Sequence, residues 1–330
     1  MSVPGYGKAT EQQEFLTLIQ ELQSKASFHP EQAMSICWGQ GSIVTSPDYA
    51  AGLKFSSAQR EPMRTEQGLS CIRRSNPEGY HYFVSNLQGK DIDAFITLGV
   101  KAKQVVLYNP MNGQIDFAKT DAQGRVRLQL KSGESIVLRT FTDGTSAQLK
   151  NHKYLMPKNE SAMQLVDWTL SFKESAPVKI TRTYTMKGNP KSWTALGDSM
   201  LNATMATGVY KTTFTLPKKQ PNTAYLLDLG DVRETAHVLV NGTDAGMLFA
   251  VPFRLDITDY LVDGKNTLEV AVANLPANRI AQLDRDGVEW RKFKELNVVD
   301  LNYKNTLYDK WKPVPSGLNG PVRIIPCKVE

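Results

Sequence analysis

The sequence predicts a mainly β protein: two consecutive antiparallel β-sandwiches behind a short amino-terminal α/β remnant. Three observations carry this reading. From about Gln67 onward the apolar residues recur with period two. Turn chemistries such as Asn-Pro, Asn-Gly and Asp-x-x-Gly punctuate that region at roughly even spacing. Convincing helical periodicity is confined to Glu11–Lys25, where Phe15, Leu18, Ile19 and Leu22 recur at i, i+3, i+4 and i+7.

After that helix come a short apolar stretch at Met34–Trp38, a turn at Gly39-Gln40-Gly41, Ser42-Ile43-Val44, and a small helix at Tyr49–Leu53. Residues 1–61 therefore read as a fragment of α/β structure, and the strands needed to pair with it into a sheet are expected to be missing. The first sandwich, residues 62–145, has candidate strands at Leu69–Arg73, Tyr80–Asn86, Ala94–Leu98, Gln104–Tyr108, Arg125–Leu130 and Ser135–Phe141. Between them lie Asn76-Pro77-Glu78-Gly79, Asn109-Pro110-Met111-Asn112-Gly113, Asp121-Ala122-Gln123-Gly124 and Lys131-Ser132-Gly133-Glu134. Asn, Asp and Gly tolerate positive φ and Pro pre-sets φ, so these are turns for physical reasons.

Thr142–Asn159 is polar and aperiodic, which places a domain boundary there. The second sandwich, residues 146–330, has candidate strands at Trp168–Phe172, Val178–Tyr184, Val209–Leu216, Ala224–Leu229, Ala236–Val240, Arg254–Ile257, Thr267–Asn274 and Val322–Ile325. Two cues there are sharp. Tyr210, Thr212, Phe214 and Leu216 share one strand face, opposite Lys211, Thr213 and Thr215. Asn241-Gly242, directly after Val238-Leu239-Val240, is a strong hairpin signal. Leu275–Gly317 fits no strand pattern, but its Trp290, Phe293, Tyr303, Tyr308 and Trp311 argue for an ordered segment with structure of its own.

Composition narrows the function classes. The 330 residues are 41% hydrophobic and 22% charged, and 39 basic against 33 acidic side chains give +6. These charges are scattered, with no basic stripe, which argues against nucleic acid. No run approaches a membrane span and the first residues lack an apolar signal-peptide core, so neither membrane insertion nor an export signal is expected. Cys37, Cys71 and Cys327 stand far apart and read as small buried hydrophobes rather than metal ligands or a disulfide framework. His29, His81, His152 and His237 accompany no nucleophile or zinc motif and read as satisfied structural residues.

Glycoside cleavage needs two carboxyl groups flanking the bond, about 5–5.5 Å apart for retention or about 6.5–9.5 Å for inversion. Asp284, Asp286 and Glu289 lie together, yet nothing in their spacing marks a catalytic pair, so no catalytic residue and no metal site is assigned. Sugar binding needs a flat aromatic face plus charged or amide groups for hydroxyls. Arg279, Asp284, Trp290 and Trp311 are the candidates of that type. The competing reading, which the residue types favour, is that the tryptophans clamp the long segment onto the sandwich and Arg279 pairs with a carboxylate. Trp193 reads as structural.

Several stretches resemble a known family. Gly208-Val209-Tyr210, Phe214-Thr215-Leu216-Pro217, Tyr225 to Val232, His237 to Gly242, Ala245-Gly246, Val251-Pro252-Phe253, Leu255 to Thr258 and Gly264 to Leu268 resemble the sugar-binding jelly-roll (galactose-binding-like) domain of glycoside hydrolase family 2. Asn278-Arg279-Ile280, Asp284, Gly287 to Trp290, Trp311-Lys312-Pro313 and Ser316 to Val322 resemble the ending of family 106 α-L-rhamnosidases. Glu66 to Ser70, Ile72-Arg73-Arg74, Tyr82 to Asn86, Asn109 to Gly113 and Gly133-Glu134-Ser135 are similar to the sandwich that follows that family's catalytic barrel.

The resemblance covers roughly residues 40–330 and implies a non-catalytic accessory part of a hydrolase acting on plant or pectic polysaccharides. Its implied partners are carbohydrate and a catalytic barrel encoded separately or removed. The alternatives are a free-standing lectin-like binder and a purely structural packing domain. No cofactor is implied; because the family's barrel often carries calcium, a structural calcium is the one ion left open. The family works in the bacterial periplasm or outside the cell, so the glycosylation-like triplets at Asn159, Asn202 and Asn241 receive no role.

Overall fold

The computed structural model of the chain describes residues 9–56, 58, 60–292 and 306–330. Two compact units emerge, Met1–Pro62 and Met63–Glu330. In the first, helix α1 (Ala9–Ser24) precedes strands β1 (Ala26–Phe28), β2 (Met34–Trp38) and β3 (Gly41–Thr45) and helix α2 (Tyr49–Leu53). The expectation that this remnant lacks sheet partners is corrected. β1, β2 and β3 pair with one another, antiparallel and in sequence order. Gly39, at φ +58°, lets the β2–β3 connection turn back at once, so the partner strands are local.

The short helix α3 (Pro62–Glu66) leads into the second unit, which starts at Met63. Strands β4 (Ser70–Asn76) and β5 (Gly79–Ser85) form a hairpin closed at the Asn76–Gly79 turn. Gly79 lies against the Thr140 backbone, where a Cβ has no room. Next come β6 (Ile92–Ile96), β7 (Gln104–Tyr108), β8 (Ile115–Phe117), β9 (Val126–Leu130) and β10 (Ser135–Phe141). Five of these make a sheet in the order β4-β5-β10-β7-β8, and β6 pairs with β9. Tyr82, Val84, Val105, Leu107 and Leu138 close a core with Ile96, Val126, Leu128 and Leu130, beside Met63 and Leu69.

The next sandwich starts at β11 (Leu155–Pro157) and β12 (Met163–Leu165), then β13 (Trp168–Ala176), β14 (Tyr184–Met186), β15 (Met205–Leu216), β16 (Thr223–Asp228) and β17 (Val232–Arg233). It continues with β18 (Thr235–Val240), β19 (Thr243–Leu248), β20 (Arg254–Asp256), β21 (Gly264–Ala273), helix α4 (Ala277–Arg285), β22 (Gly317–Leu318) and β23 (Val322–Val329). A six-stranded sheet, β14-β13-β15-β21-β18-β19, faces a smaller one in the order β11-β23-β16-β20, with β12 also on β23. The alternation predicted for β15 holds: Tyr210, Thr212, Phe214 and Leu216 are buried, while Lys211, Thr213 and Thr215 are exposed. Asn241-Gly242 turns the chain from β18 into β19 as its chemistry requires.

Two expectations in this region are corrected. Val178–Tyr184 is not a strand before Tyr184. Ser175 Oγ donates to the Val178 carbonyl and accepts from the Ile180 N–H, each at 2.8 Å, taking the backbone groups a ladder would use. The polar stretch Thr142–Asn159 also contains β11, which the C-terminal β23 recruits. Cys327 is buried, but Cys37 is exposed, against the reading of all three thiols as buried. All four histidine rings have hydrogen-bond partners: Ser35, Asn76, Asp116 and Asp244.

The two sandwiches meet around Arg127 of β9, whose side chain is only 10% exposed. It donates to Asp93 at 3.2 Å and to Glu330 at 2.9 Å, and its guanidinium lies 4.6 Å from the Tyr154 ring centroid. The Tyr154 hydroxyl donates to the Arg127 carbonyl at 3.0 Å. Burial pushes Asp93 up, but hydrogen bonds from Arg127 and Gln129 outweigh it and hold the carboxyl below its usual range. Nearby, burial raises Glu134 above the ordinary carboxylate range, although it accepts from the Lys131 N–H at 2.6 Å.

Candidate functional site

The long segment after β21 takes its shape from α4. Asn278, buried on that helix, brackets Val314: its Nδ2 donates to the Val314 carbonyl at 2.9 Å and its Oδ1 accepts from the Val314 N–H at 2.8 Å. Farther along the helix, Arg285 donates to the carbonyls of Asp309 and Trp311, both at 3.2 Å. Residues 306–316 therefore form a strap antiparallel to α4. Its far end is sewn to the sandwich by Ser316, whose N–H donates to Ser192 Oγ at 2.8 Å and whose carbonyl accepts from it at 2.9 Å. Gly317 follows at φ +92°, packed under Trp193 and Tyr210. Burial lifts the Tyr210 phenol well above its usual range, and its hydroxyl donates to the Lys191 carbonyl at 3.1 Å.

Asp284 is the strap's inner anchor, with a side chain only 3% exposed. Its carboxylate accepts from the Tyr308 N–H at 2.7 Å, from Trp290 Nε1 at 2.7 Å, and from the Arg291 guanidinium at 3.5 Å. The Tyr308 N–H is the largest influence on its titration; Trp290 and Arg291 act with it against burial, and the carboxyl sits below its ordinary range. Asp284 is thus an ionised internal acceptor with its oxygens already engaged.

Of the four sequence candidates, the structure brings Asp284 and Trp290 into direct contact. The indole N–H of Trp290 is spent on Asp284, and the Arg291 guanidinium covers its ring at 4.4 Å. Trp311 differs: it is 50% exposed and rests on Tyr308, with centroids 4.6 Å apart. Arg279 is half-buried on α4, and its expected pairing with a carboxylate is not made among the described residues. Phe293 and Tyr303 lie outside the described residues.

The two acids beside Asp284 serve locally as well. Asp286 accepts from Gln282 at 2.7 Å, and Glu289 accepts from the Arg291 N–H at 3.2 Å. Among the described residues no group of three or more His, Cys, Asp or Glu is arranged to hold a metal ion, and no helix is long and apolar enough to cross a membrane. An open depression of about 430 Å³ lies on the outer face of the six-stranded sheet, against Thr169, Lys211, Thr213, Leu239, Thr267 and Glu269. Sequence reasoning missed Asn278, Arg285, Arg291 and Tyr308, because their roles exist only through contacts across 15 to 36 residues of chain.

Residues 198–309 match the family described as glycosyl hydrolase 2 galactose-binding domain-like. The galactose-binding-like character expected of the second sandwich is therefore established over that stretch. A "Putative beta-glucuronidase" of Formosa agariphila is 26% identical over 259 residues, 72% of this chain and 22% of that protein. Among solved structures, a rhamnosidase from Novosphingobium sp. PP1Y is similar in fold, with a TM-score of 0.65 at 21% identity, covering 99% of this chain and 30% of that one. The chain thus spans 22% and 30% of the lengths of these two proteins.

Proposed function

We propose that this chain is a non-catalytic accessory β-region of an α-L-rhamnosidase-like glycoside hydrolase acting on plant or pectic polysaccharides in the periplasm or outside the cell. It works beside a catalytic barrel that is a separate part, and it contacts carbohydrate through the outer side of the strap. The supporting observation is the extent of the fold likeness, which covers 99% of this chain and 30% of a rhamnosidase chain. The site chemistry agrees. Asp284, Asp286 and Glu289 each hold neighbouring protein groups, whereas a glycosidase needs two carboxyl groups turned toward one bond. In this reading Asp284 and Trp290 are scaffold, and Trp311 and Arg279 face the ligand.

The test is incubation of the clean chain with an aryl α-L-rhamnoside and an aryl β-glucuronide. No release of the aryl group above the buffer rate is expected. Turnover that co-purifies with the protein would overturn the accessory role.

A further inference from the structure

We infer that the outer face of the five-stranded sheet in the first sandwich is an interface for a second copy of this chain. The inference is independent of the function proposed above. The register sets one residue from each strand in a row across the sheet: Ile72, Phe83, Val137, Tyr108 and Ile115. Their chain neighbours Cys71, Tyr82, Leu138 and Leu107 lie in or against the core, so by alternation the row points outward. Ile72 is 66% exposed, Phe83 46% and Ile115 43%, with Val137 and Tyr108 partly exposed. Single exposed apolar side chains are ordinary, but five in one line mark a surface that meets something. Aliphatic side chains hold three of the five positions, both ends included. That suits a protein surface better than a sugar ring, which needs a flat aromatic face.

What covers the row follows from its flanks. Two residues along the strands on one side stand Arg74, His81 and Arg139, and on the other side Ser70, Ser85 and Ser135. Arg74 is exposed and forms no ion pair among the described residues, whereas His81 is hydrogen-bonded to Asn76 at 3.0 Å and Arg139 pairs with Glu78. A two-fold axis lying in the interface along the row lays the apolar line on itself and reverses the strands. The basic row of each copy then faces the partner's serine row, whose hydroxyls can accept from it. A two-fold along β10 would also match the apolar line, but it would set Arg139 against its own copy. Charge therefore selects the first arrangement. Size agrees with a second copy. Five strands about 4.8 Å apart and about 20 Å long give a footprint on the order of 500 Å² per copy, about 1,000 Å² in all. That is the low end for a specific interface and corresponds to a reversible dimer.

The experiment is sedimentation velocity of the full chain from about 1 to about 100 µM, where an interface of this size should pass from monomer to mostly dimer. Raising salt from about 50 mM to about 0.5 M should tighten the dimer about threefold, because each copy carries +6 and the contact itself is apolar. Ile72→Lys, on an edge strand that tolerates lysine, should weaken association at least about tenfold. Val288→Lys, equally a lysine for an exposed apolar residue but off the row, should leave it unchanged. Ser70→Glu should tighten the dimer about threefold over Val288→Glu, which makes the same charge change, because only the former meets the partner's Arg74. A chain that stays monomeric throughout, whatever else then covers the row, overturns the inference. So does loosening by salt, an Ile72→Lys variant that associates like the parent, or a Ser70→Glu variant no tighter than its control. None of these results bears on the accessory role, whose failure appears as turnover.

Discussion

Replacing Arg127 by Met tests whether the two sandwiches are one mechanical unit. Methionine keeps an apolar stem under Tyr154 but removes the donors to Asp93 and Glu330. Hydrogen bonds to charged groups contribute about 1.5–3 kcal/mol each, so two give a gross value of about 3–6 kcal/mol. Asp93 and Glu330 are 37% and 34% exposed, so water can re-solvate both carboxylates after the substitution. That roughly halves the figure, to about 1.5–3 kcal/mol. For a unit of this size the thermal midpoint should fall by about 3–6 °C.

Arg127→Lys should lose at least half as much, because a point charge cannot fork between two carboxylates. The pH dependence has a definite sign. Asp93 and Glu330 are both held below their ordinary values, so the stabilisation is present above the unfolded carboxylate range and is lost as pH falls through the lowered folded values. The gap between variant and parent should therefore shrink below about pH 4. Calorimetric melting of both proteins from pH 3 to 8 provides the measurement. A loss under about 0.5 kcal/mol, or independent melting of the two sandwiches in the unaltered chain, would refute the reasoning.

Three further outcomes follow from the same geometry. Gly317→Ala should cost more than about 3 kcal/mol or prevent folding, because the new Cβ would lie 2.6 Å from the Trp193 ring at a backbone φ of +92°; denaturant titration reads it. Asp284→Ala should release the strap without unfolding the sandwich, so trypsin should cut after Lys310 at least about tenfold faster at unchanged melting temperature. Burial raises the carboxyl of Glu134, so the folded state favours its protonated form and this site weakens the fold as pH rises through the ordinary carboxylate range. Glu134→Gln should consequently be neutral or stabilising by up to about 1 kcal/mol at pH 7, with the gain gone near pH 3 in paired melts.

How much was legible depended on whether burial is written at short range. β15 and β21 were readable because one face packs on the core and the other meets water, which imprints period two on the residues themselves. Val178 and Ile180 carry the same alternation, and Ile180 is indeed buried, yet one serine oxygen captures their backbone and no strand forms. Helix α4 escaped for the opposite reason. Its nine residues hold only a short apolar stripe, and its most buried polar residue, Asn278, is there to hold the strap rather than to favour a helix. The pairing of β1, β2 and β3 was hidden by their shortness, although Gly39 gave the turn that makes it possible.

At the site, residue types were legible but their division of labour was not. Asp284, Trp290 and Trp311 all have sugar-binding chemistry, and the sequence gives no reason to separate them. The fold does so by hydrogen-bond accounting. A nearly buried carboxylate needs donors, and Trp290, Tyr308 and Arg291 supply them from within the protein, which removes Asp284 and Trp290 from competition for a ligand. The Trp311 ring is half exposed and contacts only Tyr308 among the aromatic rings of the described residues, while its backbone is held by Arg285 and by the Tyr308 carbonyl. Groups already satisfied inside the fold shape a surface, whereas groups left unsatisfied at that surface are free to bind. Under the proposed carbohydrate contact, the exposed strap is the part that meets the ligand, and the buried aspartate acts only by keeping the strap in place.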